Sequence, residues 1–287
     1  MLLSVGFFAG MDTLLKVLSK YYPALELGAL RGAASLPLVF VATLLRGRIQ
    51  DLRPVRWSLH LVRGVLAIIM LGSFIYALRL LPMADAYALF LAAPLIVTAL
   101  SVPLLGEQVE WRRWVAIAVG LAGTLVLLKP TAANLATLGA LAAVASAICY
   151  ALSALTVRVL TRTDTTASMV FWFMAMVVVF AGALAAPSWV PVRVEHWSLL
   201  IGVGIFGALG QHFVTEAFRY APASAVAPFE YTALLWAVGI DWVVWVHPPN
   251  GQMLTGAAII IASGLYLIQR ERRGQPAAAV AEGNVPP

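Results

Sequence analysis

The sequence has 287 residues, of which 62% are hydrophobic and 11% are charged, whereas about 25% of the residues in a typical soluble domain are charged. A mean hydropathy of +0.90 argues against a soluble enzyme, whose helices would need polar faces. The net charge of +6 does not indicate a nucleic-acid partner, because Lys and Arg lie in short connections between apolar runs.

Apolar runs of about 20 residues, the length that a helix needs to cross a bilayer, recur along the chain between turn-forming residues. The first run lacks a basic leader and contains Asp12 and Lys16, so we expect a retained helix and not a cleaved signal peptide. Residues 271–287 are small, polar and Pro-containing, which predicts a disordered cytoplasmic tail. The predicted spans are near 2–20, 24–45, 60–79, 83–104, 112–129, 135–158, 166–186, 197–218, 224–246 and 252–269.

The two halves of the chain share a weak repeat. Ala77-x-Arg79-x-x-Pro82 aligns with the same three residue types 140 positions later, at Ala217, Arg219 and Pro222. Weak internal symmetry of this kind is typical of secondary transporters. We therefore predict a first five-helix repeat at 1–130 and a second at 131–270. Because five is odd, the second repeat should be inverted in the membrane.

The basic residues in the connections predict the orientation of the chain. Of nineteen Lys and Arg residues, twelve fall on one predicted side and four on the other, which places both termini in the cytoplasm and the protein in the inner membrane. The twelve are Arg46, Arg48, Arg53, Arg56, Arg112, Arg113, Arg158, Arg162, Arg219, Arg270, Arg272 and Arg273.

Several motifs together resemble a known transporter family. They are the ten helices, the Leu105-Gly106-Glu107 end of span four, Arg31 in span two and His60-x-x-Arg63-Gly64 opening span three. This pattern is similar to the EamA family of the drug/metabolite transporter superfamily. The second half departs from it, since Val246-His247 stands where the family often has an acidic hinge. The resemblance implies carriage of small metabolites, among them amino acids, vitamins and compounds such as S-adenosylmethionine.

Ionisable residues inside spans are costly, so each invites a functional hypothesis. Glu230 comes two residues after Pro228, which is expected to break the helix, and a broken helix at membrane depth is tolerated only where it is buried or faces water. Aromatic side chains nearby would give a substrate stacking and apolar contact. The predicted substrate-binding residues are Asp12, Arg31, Phe74, Tyr87, Phe90, Tyr150, Gln211, Phe229, Glu230 and Trp236.

A second group of residues is predicted to act in gating or proton coupling. Depth separates the charged residues into an outer set and an inner set, which we interpret as two gates that open alternately around a central site. For Asp12 and Lys16, a local ion pair is the competing structural interpretation. The predicted gating residues are Lys16, Glu26, Asp85, His60, Arg63, His212 and Glu216.

The favoured function is secondary transport of an amino-acid-like, zwitterionic or nucleoside-like metabolite, either proton-coupled or by facilitated exchange. No metal-binding, P-loop, nucleophile-elbow or dinucleotide motif is present in the sequence, so no cofactor is expected. The alternatives are an intramembrane enzyme acting on a lipid-linked substrate and a channel. Expected partners are the small solute and membrane lipids. Small residues of spans five and ten should permit close helix packing and would also suit a homodimer contact.

Overall fold

The computed structural model describes residues 1–81, 83–129, 137–246 and 248–274, and in these ranges the chain is helical, without strands. Two of the sequence predictions therefore fall outside the described residues. They concern the junction of the repeats at 130/131 and residues 275–287 of the predicted tail. The helices are α1 Leu2–Leu18, α2 Ala24–Leu45, α3 Trp57–Leu80, α4 Met83–Phe90, α5 Ala93–Leu105, α6 Trp111–Leu128, α7 Leu138–Leu160, α8 Thr166–Ala185, α9 Trp197–Tyr220, α10 Ala223–Val226, α11 Thr232–Trp245 and α12 Gly251–Gly274.

Eight described segments are long and apolar enough to cross a membrane, and Gly251–Tyr266 is a shorter apolar helix. With the 17-residue α1, these correspond to the ten predicted spans, and the prediction of an all-α membrane protein is confirmed. Span four consists of α4 and α5, and span nine consists of α10, the 3-10 turn Ala227–Tyr231 and α11. The last helix continues to Gly274, so residues 271–274 of the predicted tail are helical.

Spans four and nine are both discontinuous. Span nine breaks at the 3-10 turn that contains Pro228, as the sequence predicts. Span four breaks at Leu91 and Ala92, directly before Pro94 in the first turn of α5, where the proline lacks an N–H to continue the helix. Counted from the aligned Pro82 and Pro222, Phe90 and Glu230 occupy the same position at the two breaks.

The packing of the helices follows the repeat: where two spans pack most extensively together, the spans at the equivalent positions of the other half also pack together. The pairs α1 with α9 and α3 with α7 are equivalent, as are α2 with α9 and α3 with α8, and all four pairs are packed together. Ser4 donates to the carbonyl of Gly210 at 2.8 Å, and Ser146, 142 positions later, donates to that of Met70 at 2.9 Å. Gly210 and Met70 are themselves 140 positions apart. These matched contacts are those that two copies of one unit would make.

Glycines allow the closest of these helix crossings. A Cβ at Gly64 in α3 would lie 2.7 Å from the Cβ of Met176 in α8, and one at the equivalent Gly204 in α9 would lie 2.5 Å from the carbonyl oxygen of Ala34 in α2. In α6 and α12, Gly123 and Gly256 face each other's backbone in the same way. The small residues of spans five and ten thus form a close helix contact within this chain. The structure does not test whether they also form a dimer contact.

The connections meet at two ends of the helix bundle. One end, here called the basic end, gathers the connections 46–56, 106–110, 161–165 and 221–222, which hold most of the connecting Arg residues. There the indole of Trp172 donates to the carbonyl of Leu52 at 2.8 Å, and Arg158 donates to that of Phe218 at 2.7 Å. The opposite end gathers the connections 19–23 and 186–196. The loops that the sequence assigns to one side are therefore close in space.

Candidate functional site

A row of aromatic rings crosses the interior between spans three, four and six. The ring centroids of Tyr87 and Phe74 are 5.1 Å apart, those of Phe74 and Phe90 also 5.1 Å, and those of Phe90 and Tyr150 5.6 Å. These spacings are those of favourable tilted and edge-on ring pairs. Four of the predicted substrate-binding residues are thereby brought into one continuous set, which passes the break of span four at Phe90.

One end of this row reaches the break of span nine. The hydroxyl of Tyr150 donates to Oε1 of Glu230 at 2.9 Å. Arg63 interacts electrostatically with Tyr150, and its guanidinium lies 4.0 Å from the ring centroid of Phe173 and donates to the carbonyl of Met169 at 3.2 Å. Arg63 is 3% exposed, and its Nε has no hydrogen-bond partner. Tyr150 therefore stands between a buried cation and an acid.

The other end of the row reaches an acid–base pair from spans one and two. Asp12 and Arg31 interact electrostatically, and Asp12 also interacts with Tyr87. The guanidinium of Arg31 lies 5.5 Å from the ring centroid of Phe8. Asp12 of α1 thus interacts with Arg31 of α2, and Lys16 contacts Asp241 of α11 at 3.1 Å.

The polar residues of this set are not fully covered by protein. Asp12 is exposed, and Arg31, Tyr150 and Glu230 are half-buried. We interpret the uncovered surface beside these side chains as a cleft along the aromatic row. The cleft therefore offers apolar ring faces along its length and charged groups at both ends.

The remaining predicted substrate-binding residues are not part of the aromatic row. Trp236 is 48% exposed and packs against Gly6 of α1. Gln211 is buried, and its backbone carbonyl accepts a hydrogen bond from Thr215 at 2.7 Å. Phe229 lies in the turn of span nine, where its carbonyl accepts from Thr232 at 2.6 Å. Their assignment to the substrate site stays a prediction.

At the basic end, His60 forms a buried pair with Asp164 of the connection before α8. The two side chains are 0% exposed, and Nε2 of His60 lies 2.9 Å from Oδ1 of Asp164. The backbone N–H of Val55 donates to the same oxygen at 2.9 Å, and Thr163 donates to Oδ2 at 2.7 Å. Burial raises the pKa of Asp164, but these hydrogen bonds together outweigh burial and hold the pKa below its ordinary value.

Glu216 and His212 lie near the same end. Thr166 donates a hydrogen bond to Glu216, Arg219 approaches the same carboxylate at 4.0 Å, and His212 interacts electrostatically with Glu216. Arg219 also donates to the carbonyl of Asp164 at 2.8 Å. Within the described ranges, no group of three His, Cys, Asp or Glu side chains is placed to hold a metal ion.

The opposite end also has polar contacts between the two halves of the chain. Glu26 is 0% exposed, and its Oε2 accepts from the backbone N–H of Val190 at 3.0 Å. The hydroxyl of Tyr22 lies 2.8 Å from Nδ1 of His196. Asp85 is buried in the first turn of α4. The contact of Glu26 at one end and that of His60 at the other are both present in this structure. The structure does not test the gating role predicted for these two residues.

Glu107, in the hinge between spans four and five, holds the beginning of span nine. Its two carboxylate oxygens accept the backbone N–H groups of Ala223 at 2.8 Å and of Ser224 at 3.0 Å, together with the hydroxyl of Ser224 at 2.7 Å. These are the otherwise unpaired donors of a helix N-terminus, where a negative charge is favoured. Arg113 adds a contact to the hydroxyl of Ser224 at 3.2 Å. The first half thus caps a helix of the second half.

Sequence reasoning missed the partners that complete these contacts. Asp164 appeared only as a turn signal, and Phe173, beneath Arg63, looked like an ordinary apolar residue. Asp241 and His196 were not singled out. The repeat offered a signal for one of them, because Phe173 aligns with Arg31 at a spacing of 142 residues.

Comparison with known proteins gives a consistent result. The family model described as "EamA-like transporter family" matches residues 1–129 and again residues 137–269. A riboflavin transporter of Vibrio cholerae is 34% identical over 226 residues, covering 78% of this chain and 76% of that protein. A pseudopaline exporter of Pseudomonas aeruginosa is 28% identical over 268 residues, 93% of each chain.

Two further matches extend this result. An S-adenosylmethionine uptake transporter of Rickettsia conorii is 29% identical over 222 residues, covering 77% of this chain and 75% of that protein. A solved structure titled "Crystal structure of protein" matches with a TM-score of 0.80 and 22% identity, covering 96% of this chain and 97% of that one. This last likeness concerns the fold alone.

Proposed function

Because this chain belongs to the EamA-like transporter family, we propose that it carries a small organic metabolite by alternating access through the cleft between two inverted repeats, 1–130 and 131–270. It is a multi-pass membrane transporter of small molecules and not an enzyme, as the family match and the related transporters show. We place it in the inner membrane with both termini in the cytoplasm. Matched hydrogen bonds, such as those of Ser4 and Ser146, support the two repeats.

The observation that carries the proposal is the aromatic row with charged groups at both ends. Rings from Tyr87 to Tyr150 would stack on a flat solute, and Glu230, Asp12 and Arg31 would meet its polar groups. A pocket that is mainly apolar, with a few placed polar groups, is the usual form of a small-molecule site. Amino acids, nucleoside-like compounds such as S-adenosylmethionine, and vitamins such as riboflavin all fit this description.

The movement that opens the cleft is proposed for spans four and nine. Val97 of α5, Leu155 of α7, Phe218 of α9 and Val226 of α10 form one apolar cluster at the basic end, where Glu107 also holds span nine. Beyond the two breaks, α4 packs on α6 and α7, while α11 packs on α1 and α12. The barrier between spans four and nine therefore lies at the basic end, and release of this barrier would open the cleft there.

In place of the two gates predicted from the sequence, we propose that the contacts at both ends of α2, α3, α8 and α9 form a stationary frame for this movement. The frame contacts are those of His60 with Asp164 and of Glu26 with Val190. Both are buried and are formed at the same time. Breaking either would leave a buried polar group without its partner, which costs about 1–3 kcal/mol or more. Movement of the discontinuous spans leaves both contacts intact.

Coupling to protons is proposed through Glu230. An acid inside a membrane span is the kind of group that proton relays use, and the break of span nine gives it access to the cleft. With a solute that the protein transports, a proton gradient directed into the vesicles should drive the wild type to accumulate that solute against its concentration gradient. Glu230→Gln should abolish that accumulation and leave exchange measurable. Accumulation that is equal with and without the gradient in the wild type would leave facilitated exchange as the mechanism.

The proposed function is tested by counterflow in proteoliposomes. Vesicles are preloaded in turn with riboflavin, S-adenosylmethionine, amino acids and nucleosides, and uptake of the labelled solute is measured. We expect saturable counterflow with one class. The matched control for Glu230→Gln is Glu195→Gln, because Glu195 is an exposed acid in the connection before α9. Currents without saturation would indicate a channel, and no counterflow with any class would overturn the proposal.

A further inference from the structure

The charged groups of the cleft are not distributed equally between the halves. Glu230 stands where the first half has Phe90, and Tyr150 stands where it has Phe8. Conversely, Arg31 of the first half aligns with Phe173 and Asp12 with Ala154. One end of the aromatic row thus has an acid from the second half, and the other end has an acid–base pair from the first. The two ends therefore differ in chemistry although the helices around them are equivalent.

The Glu230 end is suited to a hydrogen-bond donor. A carboxylate can accept about four hydrogen bonds, and Tyr150 supplies one to Glu230. The nearby cation, Arg63, is tied to Met169 and Phe173 and is buried, so it acts on Glu230 through Tyr150. A half-buried acid with open acceptor positions is completed by an N–H or cationic group of the solute.

The Arg31 end is suited to an acceptor. The guanidinium has five N–H donors and no acceptor. Asp12 balances its charge, and the ring of Phe8 covers one face. A carboxylate or carbonyl of the solute can still take donors from Arg31 without leaving a bare charge in the cleft. Asp12 keeps the pair neutral when the site is empty.

We propose that the cleft binds its solute lengthwise along the aromatic row, with a donor or cationic group on Glu230 and an acceptor or anionic group on Arg31. Arg63 is a positioning residue that orients Tyr150 and thereby Glu230. This inference rests on the proposed function. It assigns an orientation and a polarity to the bound solute, which the family match and the names of the related proteins do not contain.

The test pairs single-group analogues with single-residue variants. For S-adenosylmethionine the analogues are S-adenosylhomocysteine, which lacks the sulfonium charge, and decarboxylated S-adenosylmethionine. For riboflavin the donor analogue is the N3-methyl compound. The KM for counterflow is measured with the wild type, Glu230→Gln and Arg31→Gln, and with the exposed controls Glu195→Gln and Arg53→Gln. The analogues are chosen for the solute that the wild type carries. For an amino acid they are its ester and its deaminated acid, and for a nucleoside they are its ring-N-methylated and deoxyribose forms.

The expected result is coupling between each variant and one analogue. Loss of the donor group should raise KM about tenfold in the wild type, the size expected for a hydrogen bond to a charged group, and should have little further effect in Glu230→Gln. Loss of the acceptor group should behave in the same way with Arg31→Gln. The exposed controls should match the wild type. Non-additivity of this kind identifies groups in contact.

Three outcomes separate the possibilities. Purely additive effects in both variants, or coupling of each variant with the other analogue, would overturn the orientation while leaving the transporter intact. An absence of counterflow in the wild type would instead overturn the proposed function. If Glu230→Gln does not fold, Tyr150→Phe replaces it, because that variant removes the hydroxyl which orients Glu230. Its coupling to the donor analogue should then be partial, and full additivity would again overturn the proposal.

Discussion

The two halves of the chain make equivalent close contacts between helices but place different polar residues in the proposed substrate site. The serines at 4 and 146 make the same hydrogen bond, and the glycines at 64 and 204 sit at equivalent helix crossings. In contrast, Phe90 and Glu230 occupy equivalent breaks with opposite chemistry. A single chain thus contains its own comparison of two copies of one unit.

We use this comparison to propose which positions serve packing and which serve transport. The positions at which both copies use the same small or hydroxyl residue, Ser4 with Ser146 and Gly64 with Gly204, lie at close helix contacts. Positions where the copies differ can be specialised for a solute. The acids and bases of the cleft belong to the second class: Asp12 aligns with Ala154, Arg31 with Phe173, and Arg63 with Val203.

The first prediction tests the equivalence of the glycine crossings and has the largest expected effect. In Gly204→Ala the new Cβ would lie 2.5 Å from the carbonyl oxygen of Ala34. Because backbone cannot shift as a side chain does, we expect destabilisation of about 3 kcal/mol. Gly64→Ala should cost somewhat less, about 2 kcal/mol, since its new Cβ would lie slightly farther from its neighbour, 2.7 Å from the Cβ of Met176. Thermal unfolding in detergent measures both.

The control for these variants is Gly72→Ala, because no atom lies within 4 Å of a Cβ there. It should be neutral or stabilise the helix by up to about 1 kcal/mol. Equal effects at Gly64, Gly204 and Gly72 would show that the two crossings are not the close contacts described, and the comparison of the halves would lose its structural basis.

The second prediction compares the two ends of the frame. Asp164→Asn removes the acid from a fully buried pair with His60, and loss of one partner of such a pair costs about 3 kcal/mol. Tyr22→Phe at the opposite end removes a hydroxyl that pairs with His196 and accepts from the backbone N–H of Arg193, and it should cost about 1–2 kcal/mol. Reversal of this order would contradict the assignment of the stronger contact to the basic end.

The effect of Asp164→Asn should also depend on pH. Because the pKa of Asp164 is lowered in the folded protein, its stabilising contribution is present above the ordinary carboxylate pKa of about 4 and is lost as the pH falls through the lower, folded-state pKa. The difference in melting temperature between the wild type and Asp164→Asn should therefore be largest near neutral pH and shrink in acid. A difference that grows in acid would contradict this.

Much of the fold could be predicted from the sequence because length and hydropathy define the spans directly. Pro228 also predicted the break of span nine, whereas Pro94 marked that of span four without being interpreted so. The partners of charged residues were harder to predict. Asp164 lies 104 residues from His60, and Asp241, which pairs with Lys16, lies 225 residues from it. Periodicity along one helix carries no information about which distant helix faces it.

The third prediction concerns the acidic hinge of the first half. Glu107→Gln leaves one acceptor oxygen for three donors at the beginning of span nine. We expect destabilisation of about 1–2 kcal/mol, as for the loss of a helix cap, and a greater share of molecules open at the basic end. Alkylation of a cysteine placed at Ala223, which is buried and gives only its backbone N–H to Glu107, would report this opening. The control Glu195→Gln should leave both quantities unchanged.

The smallest expected effect tests how far the two hinges have diverged. Gly106 and Val246 both end a helix in the left-handed conformation, with φ of 69° and 58°, but only glycine adopts it without strain. Val246→Gly should therefore stabilise the protein by about 1 kcal/mol, and Gly106→Val should destabilise it by at least as much. In the second half the backbone N–H of Val246 donates to the carbonyl of Asp241 and so holds the strained helix end, whereas in the first half the glycine itself permits it. If Val246→Gly raises the melting temperature and leaves counterflow unchanged, the strain has no role in transport. If instead it changes KM for the solute, the second hinge contributes to the movement of span nine through its rigidity.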